Sequence, residues 1–216
     1  MNELFESIQG EASFTGTPAF FVRLQGCPVG CPWCDTKHTW EIESRHEVAP
    51  AQMQAKTVDA PTFAVMDVHG LVDAASGSRA AHVVITGGEP CVHDLEPLTA
   101  ALLATGRTVQ VETSGTFDVR VADGTWVTVS PKFAMPGGLA VRGDALYRAD
   151  EAKCVVGRAR DIDTVLESVL PHLRPHVPVW LQPVSQSRTA TTLCITEAAR
   201  HGWRLSLQTH KFIGVR

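Results

Sequence analysis

Three thiols stand within eight residues, where Cys27, Cys31 and Cys34 form a C-x3-C-x2-C array inside the stretch from Gln25 to Thr36. Pro28, Gly30 and Pro32 lie among them and oppose regular secondary structure, which lets the backbone wrap a small inorganic centre. A structural zinc closes its tetrahedron with four protein ligands, whereas a 4Fe-4S cluster can leave one iron open to a ligand from outside. Three close thiolates suit the cluster better. The alternative is a Cys3His zinc site completed by His38, four residues past Cys34, which is an allowed spacing. A disulfide framework fits less well, because nothing marks the chain as secreted.

Size and charge limit what else the chain can be. Its 216 residues are read as one domain, 1–216, long enough to bury a full core. A formal net charge of -4 argues against nucleic acid as a partner, since that binding needs a basic face. No membrane partner is expected, because the start lacks a basic region followed by an apolar core and no run of about 18 apolar residues occurs. The expected location is the cytoplasm, where clustered cysteines serve metals or catalysis. Cys91, Cys154 and Cys194 are scattered, and the last two read as small buried thiols.

The elements that must hold the thiols come next. Residues 1–18 read as a polar lead-in, and 19–24 as a strand that delivers the chain into the cysteine loop. Residues 41–61 are charged and irregular and carry no motif. Further strands are expected at 82–86, 108–112, 126–130, 152–156, 179–182 and 204–208. Helices are expected at 63–75, at 94–105 with Asp94 as cap and Gly106 just past the end, at 162–173 and at 189–201. Apolar strands alternating with helices argue for a parallel sheet. The strands end in Thr86-Gly87-Gly88-Glu89-Pro90, Glu112-Thr113-Ser114-Gly115, Ser130-Pro131-Lys132, Gln182-Pro183 and Gln208-Thr209-His210-Lys211. In parallel barrels and open sheets such ends converge on one mouth where ligands bind. Gly87 and Gly88 lack a Cβ and admit a ligand to their backbone, and Glu89 can accept from an amine or hydroxyl.

C-x3-C-x2-C ahead of Gly-Gly-Glu-Pro on a strand end resembles the radical S-adenosylmethionine superfamily. That resemblance implies a 4Fe-4S cluster whose open iron is chelated by the methionine amine and carboxylate of S-adenosylmethionine. The reduced cluster passes an electron to the sulfonium, releasing methionine and a 5'-deoxyadenosyl radical. It also implies that Gly87, Gly88 and Glu89 hold the methionine amine and that Trp33 lies near the adenine. Ser130, Pro131, Lys132 and Gln182 would be further cofactor contacts. The implied fold is a partial, TIM-like β/α barrel of about six parallel strands.

A narrower set of motifs is similar to the 7-carboxy-7-deazaguanine synthase family of the queuosine pathway. It comprises Ile8-Gln9-Gly10-Glu11, Arg23 upstream of Gln25-Gly26-Cys27, the run from Cys34 to Trp40, Glu112 to Gly115, Ser130 to Lys132 and Gln208 to Lys211. The likeness spans all but roughly 41–80 and, more loosely, 212–216. It implies a magnesium-assisted ring contraction of 6-carboxy-5,6,7,8-tetrahydropterin with loss of ammonia. Thr36 would place its hydroxyl on Mg2+. Arg23 would meet a carboxylate or carbonyl, although it also reads as an ordinary buried ion-pair partner. Glu11 and Glu112 would accept from the guanidine-like edge of the pterin, with Ile8, Gln9, Gly10, Thr86 and His210 as further substrate contacts. A homodimer and an electron donor such as flavodoxin or ferredoxin are implied as well. The tail after Lys211 is a candidate lid, with the carboxylate on Arg216 a candidate substrate contact. Two other readings share part of this pattern: an activase that abstracts hydrogen from a glycine of a partner enzyme, and a non-catalytic iron-sulfur or zinc module.

Overall fold

The computed structural model describes residues 1–215 and shows an eight-stranded sheet whose strand order follows the chain. The strands are β1 (Glu3–Ile8), β2 (Pro18–Leu24), β3 (His82–Gly87), β4 (Thr108–Thr113), β5 (Trp126–Val129), β6 (Glu151–Val156), β7 (Val179–Pro183) and β8 (Arg204–Leu205). β1 runs antiparallel to β2, and every later neighbour is parallel. The sheet is open, because its order ends at β1 on one side and β8 on the other. The expectation of about six parallel strands is therefore corrected to seven, with an antiparallel strand added at the edge.

That added strand lies in the presumed lead-in. Glu3 and Glu6 give it a polar look, but both are accommodated. Glu3 pairs with Arg23 at 2.9 Å, directly across the ladder, and Glu6 accepts from the Arg79 backbone N–H at 3.1 Å. Phe5 stacks on Phe21, its direct partner in the ladder, with ring centroids 5.0 Å apart. The outer side of β1 is covered by the segment 60–64, where the Ala64 N–H donates to the Met1 carbonyl and Asn2 Nδ2 to the Ala60 carbonyl.

Among the described residues seven α-helices accompany the sheet: α1 (Pro50–Gln54), α2 (Val68–Ser76), α3 (Glu96–Ala104), α4 (Gly143–Arg148), α5 (Ala159–Thr164), α6 (Arg188–His201) and α7 (Thr209–Ile213). Asp67 caps α2 by accepting from the Gly70 N–H, Ser187 caps α6, and Gly202 ends α6 at φ +70°. Asp94 accepts from the Glu96 N–H at 3.1 Å, so α3 starts two residues later than expected. The helix expected at 162–173 is instead α5 followed by a π turn (Val165–Val169) and a 3-10 turn (Leu170–His172). Pro171 lacks the N–H that a continuing α-helix would use there.

The strands alternate rather than running apolar throughout. On β4, Val109 and Val111 face the helices, while Gln110 and Glu112 occupy the opposite face. On β6, Ala152, Cys154 and Val156 pack outward, and Glu151 and Lys153 alternate with them. Two apolar clusters result. One packs α2 and α3 on β2–β4, and the other packs α4, α5 and α6 on β5–β7. Each fully buried side chain such as Leu102 or Leu181 contributes about 1.5–3 kcal/mol. The concave face is polar, and there the buried His82, Gln110, Thr128 and Glu151 are linked by hydrogen bonds of 2.7–3.0 Å. Among the described residues, no helix is long and apolar enough to cross a membrane.

Candidate active site

The C-terminal strand ends and the cysteine loop surround a cavity of about 490 Å³. Cys27, Cys31 and Cys34 line it as free thiols, together with Trp33 and Thr36. The loop is framed by backbone bonds from Gly26 N to Thr39 O and from Cys27 N to Trp40 O, and by the buried Gln25 amide, which donates to the His38 and Glu41 carbonyls. The Gly87-Gly88-Glu89 strand end locks against it: Gly88 N donates to Leu24 O at 2.9 Å and Glu89 N to Gly26 O at 2.8 Å. A Cβ on Gly88 would drive into the Gly26 carbonyl, so glycine is required for this close approach.

His38 does not complete a ligand set with the thiols. It is grouped instead with Glu3 and Asp59, whose candidate ligand atoms lie within 4.8 Å of one another. Burial pushes the Cys27 thiol up to about 11, with the Glu89 charge adding to it, and raises Cys31 as well. Lys132 works against the rise at Cys31. Its buried ammonium donates to the Ser130 carbonyl and hydroxyl at 2.7 and 2.5 Å.

Every cluster, cofactor, magnesium and substrate residue that the two resemblances implied lines this cavity except Pro131, which is buried beside it, and Arg216, which lies outside the described residues. Several are already engaged with protein partners. Glu89 accepts from Cys91 N, Thr113 Oγ1 and Ser114 N, so it ties its own turn to the end of β4. Gln182 accepts from Ser206, which in turn accepts from Ala12 N. Gln9 donates to Gln110 and Glu112. Arg23 has its ion pair with Glu3 and lies over the Phe5 ring, as the ion-pair reading of it expected, and it also stands in the cavity wall. The Thr36 hydroxyl lies 3.5 Å from Cys34 Sγ.

The sequence reading missed Lys153. From β6 its Nζ donates to Glu11 Oε2 at 2.5 Å and to Glu112 Oε2 at 2.6 Å, joining the first and fourth strand ends. Burial alone would raise Glu11, but the Lys153 ammonium outweighs it and holds the carboxyl down at about 2. Burial raises Glu112; Lys153 opposes this and the Glu11 charge reinforces it. Burial would lower Lys153, and the two carboxylates more than reverse that. The signal in the sequence was a charged residue inside the apolar run of β6. The last wall is α7, a helix the sequence did not reveal. Thr209 N and Oγ1 donate to the Gly10 carbonyl, Gln208 Nε2 donates to Glu11, and Lys211 pairs with Asp35 at 2.8 Å. His210 is thereby set against Gly10, where even a methyl group would collide with its ring. Burial lowers the His210 pKa, and Glu11 opposes that shift. The Arg216 carboxylate lies outside the described residues.

No protein-family model matches the chain. It is 51% identical over 219 residues to the 7-carboxy-7-deazaguanine synthase of Escherichia coli (strain K12), covering 100% of this chain and 98% of that protein. It is 36% identical to the 7-carboxy-7-deazaguanine synthase of Synechocystis, covering 99% of this chain and 92% of that one. A crystal structure of QueE from Escherichia coli superposes with a TM-score of 0.91 at 50% identity, covering 96% of this chain and 92% of that chain. With full-length identity of this order and a matching fold, the chain belongs to the 7-carboxy-7-deazaguanine synthase family.

Proposed function

We propose that the chain converts 6-carboxy-5,6,7,8-tetrahydropterin to 7-carboxy-7-deazaguanine, contracting the reduced ring and expelling one ring nitrogen as ammonia. The observation that carries this is the meeting, in one cavity, of three thiols, two backbone-open glycines and two carboxylates bridged by a lysine. In this reading the open sheet is the partial barrel of a radical S-adenosylmethionine enzyme. The donor set fits: three thiols on one glycine- and proline-rich loop, facing a glycine cradle that a Cβ would fill. A 4Fe-4S cluster on Cys27, Cys31 and Cys34, with S-adenosylmethionine, supplies the radical that begins the reaction at a substrate C–H bond. Loading it at neutral pH releases thiol protons, that of the half-buried Cys27 among them.

The rest falls to the chain's own side chains. Gly87 and Gly88 offer backbone to the methionine amine, Trp33 offers a half-exposed ring to the adenine, and Ser130, Lys132 and Gln182 line the same wall. Glu11 and Glu112 accept from the pterin's N–H groups, Arg23 meets its carboxylate, and His210 closes the near side. The reading includes a single domain, a homodimer, a cytoplasmic setting and an electron donor such as flavodoxin or ferredoxin. It is tested by anaerobic turnover of reconstituted protein with S-adenosylmethionine, reductant, Mg2+ and the tetrahydropterin. Mass spectrometry should find the ammonia-loss product; cleavage of S-adenosylmethionine without that product would refute the substrate.

Two variants probe the walls separately. Thr36→Ala is expected to keep its iron and to lose the Mg2+ stimulation of turnover, since a hard cation loses its one protein oxygen. An unchanged Mg2+ titration would remove Thr36 from the metal site. Gly10→Ala pushes His210 off the cavity, and a displacement of about 1 Å in a positioning group costs on the order of 100-fold in turnover. Iron content and S-adenosylmethionine binding should stay at wild-type levels in that variant.

A further inference from the structure

Lys153 is 5% exposed, and its position allows its donors to be counted. Of its three N–H groups, one goes to Glu11 Oε2 and one to Glu112 Oε2; among the described residues the third has no acceptor, and the side chain lines the cavity. The carboxylates can be counted in the same way. Glu112 Oε1 is filled by Gln9 and Gln110, while Oε2 holds Lys153 and has one lone pair open. Glu11 Oε1 holds Gln208, Oε2 holds Lys153, and each has one lone pair open. The wall thus offers a ligand an acceptor, a donor and an acceptor in a row.

We propose that Glu11, Lys153 and Glu112 together read a donor–acceptor–donor edge, with Lys153 donating to the acceptor between two N–H groups. The inference rests on the pterin reading and sharpens it. On a tetrahydropterin, N1 lies between N8–H and the 2-amino group, and O4 lies between N3–H and N5–H. Either triplet contains one N–H that exists only in the reduced ring. In the fully oxidised pterin N5 and N8 are acceptors, and one of them would face a carboxylate oxygen. The row, held in register by the lysine, therefore makes the site selective for the reduction state of its substrate.

The experiment is equilibrium binding to cluster-loaded enzyme, anaerobically and without reductant, of 6-carboxy-5,6,7,8-tetrahydropterin and of 6-carboxypterin. The reduced ring is expected to bind about 10- to 100-fold more tightly, the worth of one hydrogen bond to a charged group. In Lys153→Met that preference should shrink to about threefold or less, because the row loses its central donor and the two carboxylates lose their register. A merely structural lysine would weaken both ligands equally and keep the ratio. Equal wild-type affinities, or an undiminished ratio in the variant, would overturn the proposal. The wild-type comparison stands even if Lys153→Met does not fold. Wild-type turnover of the tetrahydropterin with equal affinities would sink only the edge reading, whereas no turnover at all would sink the substrate.

Discussion

Cys27→Ala yields a folded protein without its cluster and without turnover. The fold survives because the loop's frame is backbone: Cys27 N still donates to Trp40 O, Gly26 N to Thr39 O, and Gln25 still spans to His38 and Glu41. The half-buried thiol contributes little packing, and alanine fills part of its place. The chemistry has no substitute, because no fourth cysteine lies in the cavity wall beside Cys31 and Cys34; Cys91, Cys154 and Cys194 are all buried away from it. Turnover is expected to fall by about 10⁶-fold or more, the scale on which losing the reactive group acts. Iron and sulfide analysis after anaerobic reconstitution, beside circular dichroism, checks both halves. Wild-type iron content in the variant would show that the cluster does not depend on this thiol.

Glu89→Ala should cost stability before it costs chemistry. Its carboxylate is 2% exposed and accepts from Cys91 N at 3.0 Å, Thr113 Oγ1 at 2.6 Å and Ser114 N at 2.7 Å. Alanine leaves two buried N–H groups without acceptors, each costing about 1–3 kcal/mol, so the expected loss is about 3–5 kcal/mol. Urea unfolding of the cluster-free protein measures it without interference from metal. Glu89→Gln should recover only part, since its NH2 turns a donor toward one of those donors. A loss below about 1 kcal/mol would mean that water replaces the carboxylate and that the strand ends hold without it.

The sequence carried the chemistry better than the scaffold. The thiols, Gly87 to Glu89, Glu112 and Ser130 to Lys132 were legible because strand-to-loop junctions in parallel sheets carry ligands and because these residue types have few other reasons to cluster there. β1 was illegible because its two glutamates are neutralised by partners from other segments, one from β2 and one from the 79 turn, which local pattern does not reveal. Lys153 was hidden for the same reason: a lysine in an apolar strand is legible only when Glu11 and Glu112, contributed from β1's end and β4, are known to converge on it. α7 is five residues long, too short for a period to show.

The docking of α7 also sets an order of events during synthesis. Glu11 waits for Gln208, 197 positions later, and Gly10 for Thr209, yet Cys27, Cys31 and Cys34 are all made in the first sixth of the chain. A chain that emerges from its N-terminus therefore displays its thiols to the surroundings long before the wall that shelters them exists. Until α7 is made, the side on which it finally lies stays open to solvent, and an oxidant has access to the thiols from there. The lifetime of the half-made chain thus falls within the protein's exposure to oxygen.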